Sequence, residues 1–287
     1  MRQRKALTLA EAVVLVVVAA VGLATVSLHG CARREKVNRT VCMSNLACIG
    51  KALMLYKGTY RNNWPWIPNV TSDWSSVPTG TNRGRDPNSQ ADGPSDRSIT
   101  SLMFLLVRED QPVQLFICPS TRDTKDTNTM NYNVPDGEEP EYYWDFSGAS
   151  NVSYSWQAPV KASEGFRQGL SDNDPDAVVM ADKTPLCDNP KWSPDDMSKT
   201  TKASVIYNNM SPNHGGEVVN VLYVGMNVAA SNRPDVGANR DNIYTASGEK
   251  RRGSRGATSL DISKHLSTRD SFLIGPVRGM MAGATGK

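Results

Sequence analysis

The feature that most constrains this 287-residue chain is an apolar segment near its N-terminus, residues 7–28, which contains one carboxylate, Glu11. As a helix it would span about 33 Å, at about 1.5 Å per residue, which matches a bilayer core of about 30 Å. A charge inside such a helix costs about 2.5–3.5 kcal/mol on insertion scales, so it usually indicates a function or a partner. The segment therefore predicts a membrane anchor in which Glu11 has a specific role.

Basic residues flank this segment on both sides: Arg2, Arg4 and Lys5 precede it, and Arg33, Arg34, Lys36 and Arg39 follow it. Charge counting therefore leaves the orientation in the membrane open. The flanks also account for the net charge of +3, because the rest of the chain has a small excess of acids. We therefore expect no nucleic-acid partner.

An amphipathic pattern continues the helix beyond the membrane segment. Apolar residues recur at steps of three to five, which is typical of one buried helix face: Val37, Val41, Leu46, Ile49, Leu53, Tyr56 and Tyr60. The run Asn62-Asn63-Trp64-Pro65 should end it. The sequence predicts one helix of roughly 50 residues, with its first half in lipid and its second half packed on a globular domain.

The rest of the chain has the pattern of short strands between long polar loops. A loop-rich region is followed by a predicted helix at residues 99–108 and a predicted strand at 114–118. Later strands are predicted at residues 152–157, 177–181, 218–224 and 226–229, with Gly225 turning the last two into a hairpin. This order favours an α+β fold in which the N-terminal helix packs on an antiparallel sheet.

These patterns divide the chain into five parts. We predict a leader at residues 1–6, a transmembrane segment at 7–28, an amphipathic continuation of the helix at 29–62, an exported α+β domain at 63–274 and a flexible tail at 275–287.

The five cysteines are Cys31, Cys42, Cys48, Cys118 and Cys187. Since none forms a C-x-x-C pair, a zinc ribbon or a thioredoxin-like motif is not expected. Cys42 and Cys48 lie on different faces of the predicted helix and should not bridge each other. A bridge from either one to Cys118 is one interpretation, and free buried thiols are the alternative.

The start of the chain resembles the class III signal of type IV prepilins and type II secretion pseudopilins. In that signal a short basic leader ends in a small residue, and an apolar helix follows with Glu at its fifth mature position. Here cleavage would fall between Ala6 and Leu7, although Gly and Phe are more usual there, and the fifth mature residue would be Glu11. The resemblance implies cleavage by a prepilin peptidase, methylation of Leu7, and pairing of its ammonium with Glu11 of a neighbouring pilin-like subunit.

Downstream segments resemble a large bacterial group of prepilin-like surface proteins. Residues 42–56 match that group's C-x-S-N-L-x-x-I-G-x-A-L-x-x-Y helix, which includes Cys42, Asn45 and Leu46. Residues 115–120 match its F-x-C-P-S segment, which includes Cys118 and Pro119. Residues 151–156 are similar to its N-x-S-Y-x-Y strand.

The same group is often recognised by a C-terminal His followed, after nine residues, by Asp-Gly. In this chain His214 and Gly225 keep that spacing, but Val224 replaces the Asp. Because Val224 removes an obvious carboxylate partner for His214, we expect a turn that positions the following strand and no metal site. No nucleophile elbow, Walker loop or H-E-x-x-H is present, so we expect no enzyme.

Other motifs allow competing interpretations. Asp172, Asp174 and Asp176 alternate as in calcium loops, but a solvated turn is the default because the EF-hand Gly and Glu are missing. Residues 28–31 resemble a lipobox that would place a lipid on Cys31. Trp64, Trp66 and Trp74 could face a carbohydrate or a partner, although such residues more often cap a core.

The sequence as a whole predicts a pseudopilin-like structural subunit of a type II secretion or type IV pilus-like assembly. It would be a single-pass protein of the bacterial inner membrane, with its C-terminal domain in the periplasm or at the cell surface. The alternative is a membrane-anchored surface binding protein that is exported with the same signal and does not polymerise.

Overall fold

The computed structural model describes residues 9–67, 77–81, 83–84, 97–132, 139–163, 165–197, 202–247, 258–261 and 264–276. The side chains of residues 9, 11 and 19–32 are outside this description. The predicted cleavage site at Ala6 and Leu7, the Glu11 side chain, Trp74 and residues 277–287 of the predicted tail therefore lie outside the described part.

A single helix, α1 (Leu9–Thr59), dominates the first fifth of the chain. Its 51 residues confirm the prediction of one helix of about 50 residues. It ends just before the predicted stop, where Arg61 and Asn62 adopt left-handed backbone conformations. Within the described residues, no helix is both long enough and apolar enough to cross a membrane.

The remaining described elements form an α+β domain with the expected antiparallel sheet. Two further helices are α2 (Thr100–Arg108) and α3 (Ala203–Asn209). The strands, in chain order, are β1 (Met130–Asn131), β2 (Glu141–Tyr142), β3 (Tyr154–Gln157), β4 (Val160–Ala162), β5 (Gly165–Arg167), β6 (Val178–Asp182), β7 (Val219–Tyr223), β8 (Val228–Ser231) and β9 (Leu273–Ile274).

The main sheet has five antiparallel strands in the order β8-β7-β6-β3-β9. The predicted hairpin at Gly225 is confirmed: β7 and β8 are joined by a tight turn in which the Tyr223 N–H donates to Asn227 O at 3.0 Å. The pairs β1–β2 and β4–β5 form separate two-stranded sheets.

One predicted strand is wrong. Val113–Phe116 form a 3₁₀ helix in place of the strand expected at residues 114–118. Two backbone carbonyls of this segment accept hydrogen bonds from two different parts of the chain and not from a neighbouring strand. Phe116 O accepts from the Ser153 N–H at 2.8 Å, and Ile117 O accepts from Asn45 Nδ2 at 2.9 Å.

The sheet is buried on both faces. One face packs against α1, and α2 belongs to the same apolar cluster. Gly50 of α1 lies close to β7, since an added Cβ there would be 3.1 Å from Leu222 Cδ1. The opposite face has a second apolar cluster that includes Trp192, Val219 and Ile243. This arrangement places the second half of α1 directly over β7, beside the turn that precedes it.

Candidate functional site

Most of the sequence motifs meet where α1 joins the domain, and we call this place the helix–domain junction. Its centre is a disulfide between Cys42 on α1 and Cys118, 76 positions apart in sequence and with their Cα atoms 5.4 Å apart. The sequence left both Cys42 and Cys48 open as partners of Cys118, and in the structure the partner is Cys42. Cys48 and Cys187 are in no disulfide.

The segment around Cys118 is held to α1 by hydrogen bonds as well. Asn45 Nδ2 donates to Ile117 O at 2.9 Å, and Asn38 Nδ2 lies 3.5 Å from Pro119 O. Leu46 is fully buried one turn after Cys42. The predicted motif residues of the helix and of the F-x-C-P-S segment therefore contact each other at one place.

His214 is confirmed as part of a turn before β7. Its φ is 57°, and Gly215 and Gly216 follow with φ of 68° and 76°. Left-handed conformation at three successive residues reverses the chain within a short distance, and glycine adopts it without steric cost. This backbone directs the imidazole into the junction, where His214 is 2% exposed.

The expectation that His214 lacks a carboxylate partner is wrong. Glu35 of α1 places Oε1 2.6 Å from His214 Nδ1, and Asp182 at the end of β6 places Oδ2 3.7 Å from Nε2. These acids reach the ring from other elements, so the loss of the motif's Asp at Val224 does not leave the imidazole alone.

Asp182 is fully buried and receives several donors. The Asn220 N–H and side-chain amide donate to Oδ2 at 2.7 and 3.1 Å, and Asn213 Nδ2 donates to Oδ1 at 3.1 Å. Burial raises the pKa of Asp182 from 3.8 to about 6, against the opposing effects of nearby His214 and of these hydrogen bonds.

The hydrogen bonds indicate one arrangement of protons on the imidazole. Nδ1–H donates to Glu35, and Nε2 accepts from Asn220 Nδ2 at 3.0 Å. Burial of Glu35 opposes its ionisation, but hydrogen bonds from Ser120 and His214 outweigh this and lower its pKa. Glu35 is therefore a carboxylate that orients the ring, as in metal and catalytic sites.

The chemistry open to this cluster depends on its sulfur atoms. His214 Nε2 lies 3.5 Å from Cys118 Sγ, and ligand atoms of Cys42, Cys118, Asp182 and His214 all lie within 4.8 Å of one another. A thiolate is needed both for zinc ligation and for nucleophilic attack. Because the two sulfurs are bonded to each other, the cluster in this form offers neither and acts as a structural connection.

Additional contacts surround the junction. Arg39 pairs with both Glu35 and Glu217, and Ser120 Oγ donates to Glu35 Oε2 at 2.8 Å. The side chain of Glu217 is 70% exposed, whereas that of Glu35 is 30% exposed. Arg39 on α1 therefore takes part in two ion pairs, a half-buried one with Glu35 and a solvated one with Glu217.

Comparison of the chain with protein-family models, with curated proteins and with solved structures found no match.

The remaining predicted site residues lie away from the junction. Gly225 is in the β7–β8 turn and donates its N–H to Pro175 O at 3.0 Å. In the acidic run, Asp172 accepts from Lys57, Asn62 and Trp64, whereas Asp174 accepts from Thr268 and Arg269. The carboxylates of Asp172 and Asp174 therefore bind different partners.

Sequence reasoning missed Glu35, Asp182, Asn213 and Asn220. A signal existed for Glu35, because it precedes Cys42 and Ile49 at seven-residue intervals and so lies on the face of α1 that packs on the domain. The other three lie at the end of β6, in the turn before β7 and within β7, and their spacing in sequence carries no such periodicity.

Proposed function

We propose that this chain is a pilin-like structural subunit, exported with a prepilin-type signal, whose α1 helix assembles with other subunits while the domain is displayed. The observation that carries the proposal is the difference between the two halves of α1. In the second half one face is fully buried on the domain, at Cys42, Leu46, Ile49 and Leu53. In the first half, residues 13–18 are all Val or Leu and are 55–68% exposed.

A continuous exposed apolar helix surface is unstable in water and usually marks a contact with lipid or protein. A covering of lipid, followed by packing against the same surface of neighbouring subunits, would bury it. The Glu11 carboxylate would then fix the register of neighbouring helices, because it needs a positive partner in an apolar environment.

The helix–domain junction supports the same proposal. A helix that holds subunits together must be firmly connected to the domain that it carries. Here the disulfide Cys42–Cys118 and the pair Glu35–His214 connect α1 to two different segments of the domain.

Mass spectrometry of the N-terminus tests the proposed processing. Protein extracted from membranes should begin at Leu7, with a methyl group on its new amine. An intact Met1 or a lipidated Cys31 would contradict the pilin-like proposal.

Crosslinking in cells separates assembly from simple anchoring. We expect Glu11→Ala to abolish crosslinked oligomers, because the helix loses the carboxylate that pairs with the positive charge of a neighbouring subunit. The protein should stay in the membrane, because its apolar surface is unchanged. Glu217→Ala, which removes an exposed carboxylate of the domain, is the control and should leave the oligomers unchanged. A non-polymerising binding protein would give no oligomers in either case.

A further inference from the structure

A second site lies at the C-terminal end of α1, separate from the helix–domain junction. Just beyond the helix, Arg61 and Asn62 have φ of 55° and 66°, and this reversal brings Trp64 and Trp66 alongside the last turn. Together with Tyr56 and Tyr60 they border an open cavity of about 420 Å³, within the range of small-molecule sites.

The aromatic side chains around this cavity are held in place before any ligand arrives. The rings of Tyr56 and Tyr60 stack with centroids 4.3 Å apart, and the Tyr60 hydroxyl donates to Glu109. Trp64 Nε1 donates to Asp172 at 3.1 Å. Tyr60 nevertheless remains 41% exposed, so part of this fixed aromatic surface is accessible.

A buried polar atom in the cavity wall has no partner. Gln168 lines the cavity, and its Nε2 atom is inaccessible to solvent yet makes no hydrogen bond within the described part of the chain. An unsatisfied buried amide costs free energy, and such groups often belong to binding sites. Because Nε2 is shielded in this conformation, the Gln168 side chain must rotate toward the cavity before a ligand oxygen can accept from it.

The charges near the cavity limit the class of ligand. Among its eight lining residues in the described chain, Arg61 alone is charged, which is too few cations for a phosphate. A cationic ligand is disfavoured because Lys57 Nζ lies 4.5 Å from the centroid of the Trp64 ring and because Glu109 and Asp172 bind other groups. The ligand should therefore be neutral, with a flat apolar face and hydroxyl groups at its edge.

We propose that the cavity at the end of α1 binds a neutral pyranose ring of an oligosaccharide. The C–H groups on one face of the sugar pack on the accessible aromatic surface at Tyr60 and Trp66, where the negative faces of the rings attract them. After the Gln168 side chain rotates toward the cavity, a sugar hydroxyl accepts from Nε2. This site is independent of the proposed assembly through α1.

Titration of the full-length chain in mild detergent tests the site. The probes are four neutral hexasaccharides: cellohexaose, chitohexaose, maltohexaose and laminarihexaose. Isothermal titration calorimetry and tryptophan fluorescence should show that at least one of them binds at a single site with a Kd of about 1 mM or tighter. If none of the four binds, the proposal is wrong.

Variants place the binding in the cavity. Tyr60→Ala removes an accessible ring and Gln168→Ala removes the unpaired donor, and each should weaken binding about fivefold or more. Tyr132→Ala is the matched control, because Tyr132 is 73% exposed and does not line the cavity. Equal affinity in all three variants would overturn the assignment. Glu11→Ala should bind normally, so a failure of assembly remains distinguishable from a failure of sugar binding.

Discussion

At the scale of single residues, Glu35 and Glu217 share one cation, Arg39, but their different surroundings should give them different effects on stability. Arg39 pairs with Glu35 and with Glu217, but Glu35 also contacts the buried imidazole of His214 and the hydroxyl of Ser120. Exposed ion pairs contribute about 0–1 kcal/mol, whereas hydrogen bonds to a charged and partly buried group contribute more. Glu35 should therefore matter to stability and Glu217 should not.

We expect Glu35→Gln to lower the free energy of unfolding by about 1–2 kcal/mol. The neutral amide binds the His214 ring more weakly, and its single oxygen cannot accept from both His214 and Ser120 as the two carboxylate oxygens do. Glu217→Gln is the matched control and should change stability by less than about 1 kcal/mol. Urea titration followed by tryptophan fluorescence measures both. Equal effects of the two substitutions would mean that the contact with His214 contributes nothing.

Asp145 should make stability depend on pH. It is fully buried, and although Ser98, Thr100 and the Gly80 and Phe146 N–H groups donate to it, burial raises its pKa from 3.8 to about 6. Between these two values the folded chain holds a proton that the unfolded chain has released. The contribution of Asp145 is therefore complete below about pH 4 and is lost as the pH rises through about 6.

Asp145→Asn removes this titration. The difference in unfolding free energy between the wild type and the variant should change by roughly 1.4 kcal/mol per pH unit across the window from pH 4 to 6, with the wild type losing stability as the pH rises. Denaturant titrations at pH 4, 5, 6 and 7 measure the difference. Parallel curves for the two proteins would contradict the raised pKa.

At the scale of elements, the disulfide should be the largest single contribution to the docking of α1. Its sequence separation of 76 residues corresponds to about 4.5 kcal/mol in the chain-entropy description of the unfolded state. We expect the double variant Cys42→Ser/Cys118→Ser to lose stability of that order, measured by urea unfolding. Cys48→Ser, in a cysteine outside any disulfide, should behave like the wild type. Wild-type protein in excess dithiothreitol should approach the double variant.

The same elements show what the sequence could predict. The length of α1, the middle of its buried face from Leu46 to Tyr56 and the β7–β8 hairpin follow from periodicity and from a glycine at the turn, which are local signals. The ends of the predicted face were wrong, because Val37, Val41 and Tyr60 are 60%, 40% and 41% exposed. The segment at Val113–Phe116 was predicted wrongly because its β-like composition is overridden by tertiary contacts with Asn45 and Ser153. Of the partners of His214, Asp182 could not be predicted from spacing, since it reaches the ring only through the pairing of β6 with β7.

At the scale of the whole molecule, the two halves of α1 should be separable. The buried face of the helix begins at Cys42, and the polar contacts of the junction reach back only to Glu35. The exposed apolar residues 13–18 lie well before that point and contribute nothing to the core of the described domain. Removing them should therefore change association without changing the fold.

We expect a variant that lacks residues 1–29 to be a water-soluble monomer with the same disulfide and a Tm within a few degrees of that of the full chain, because Glu35 and the whole buried face remain. Size-exclusion chromatography with light scattering, calorimetry and mass spectrometry under non-reducing conditions measure these properties. A control truncation that also removes residues 30–45 takes away Glu35 and Cys42 and should not fold stably. If the shorter truncation aggregated or melted early, the first half of α1 would be part of the fold, and an assembly role confined to that half would be wrong.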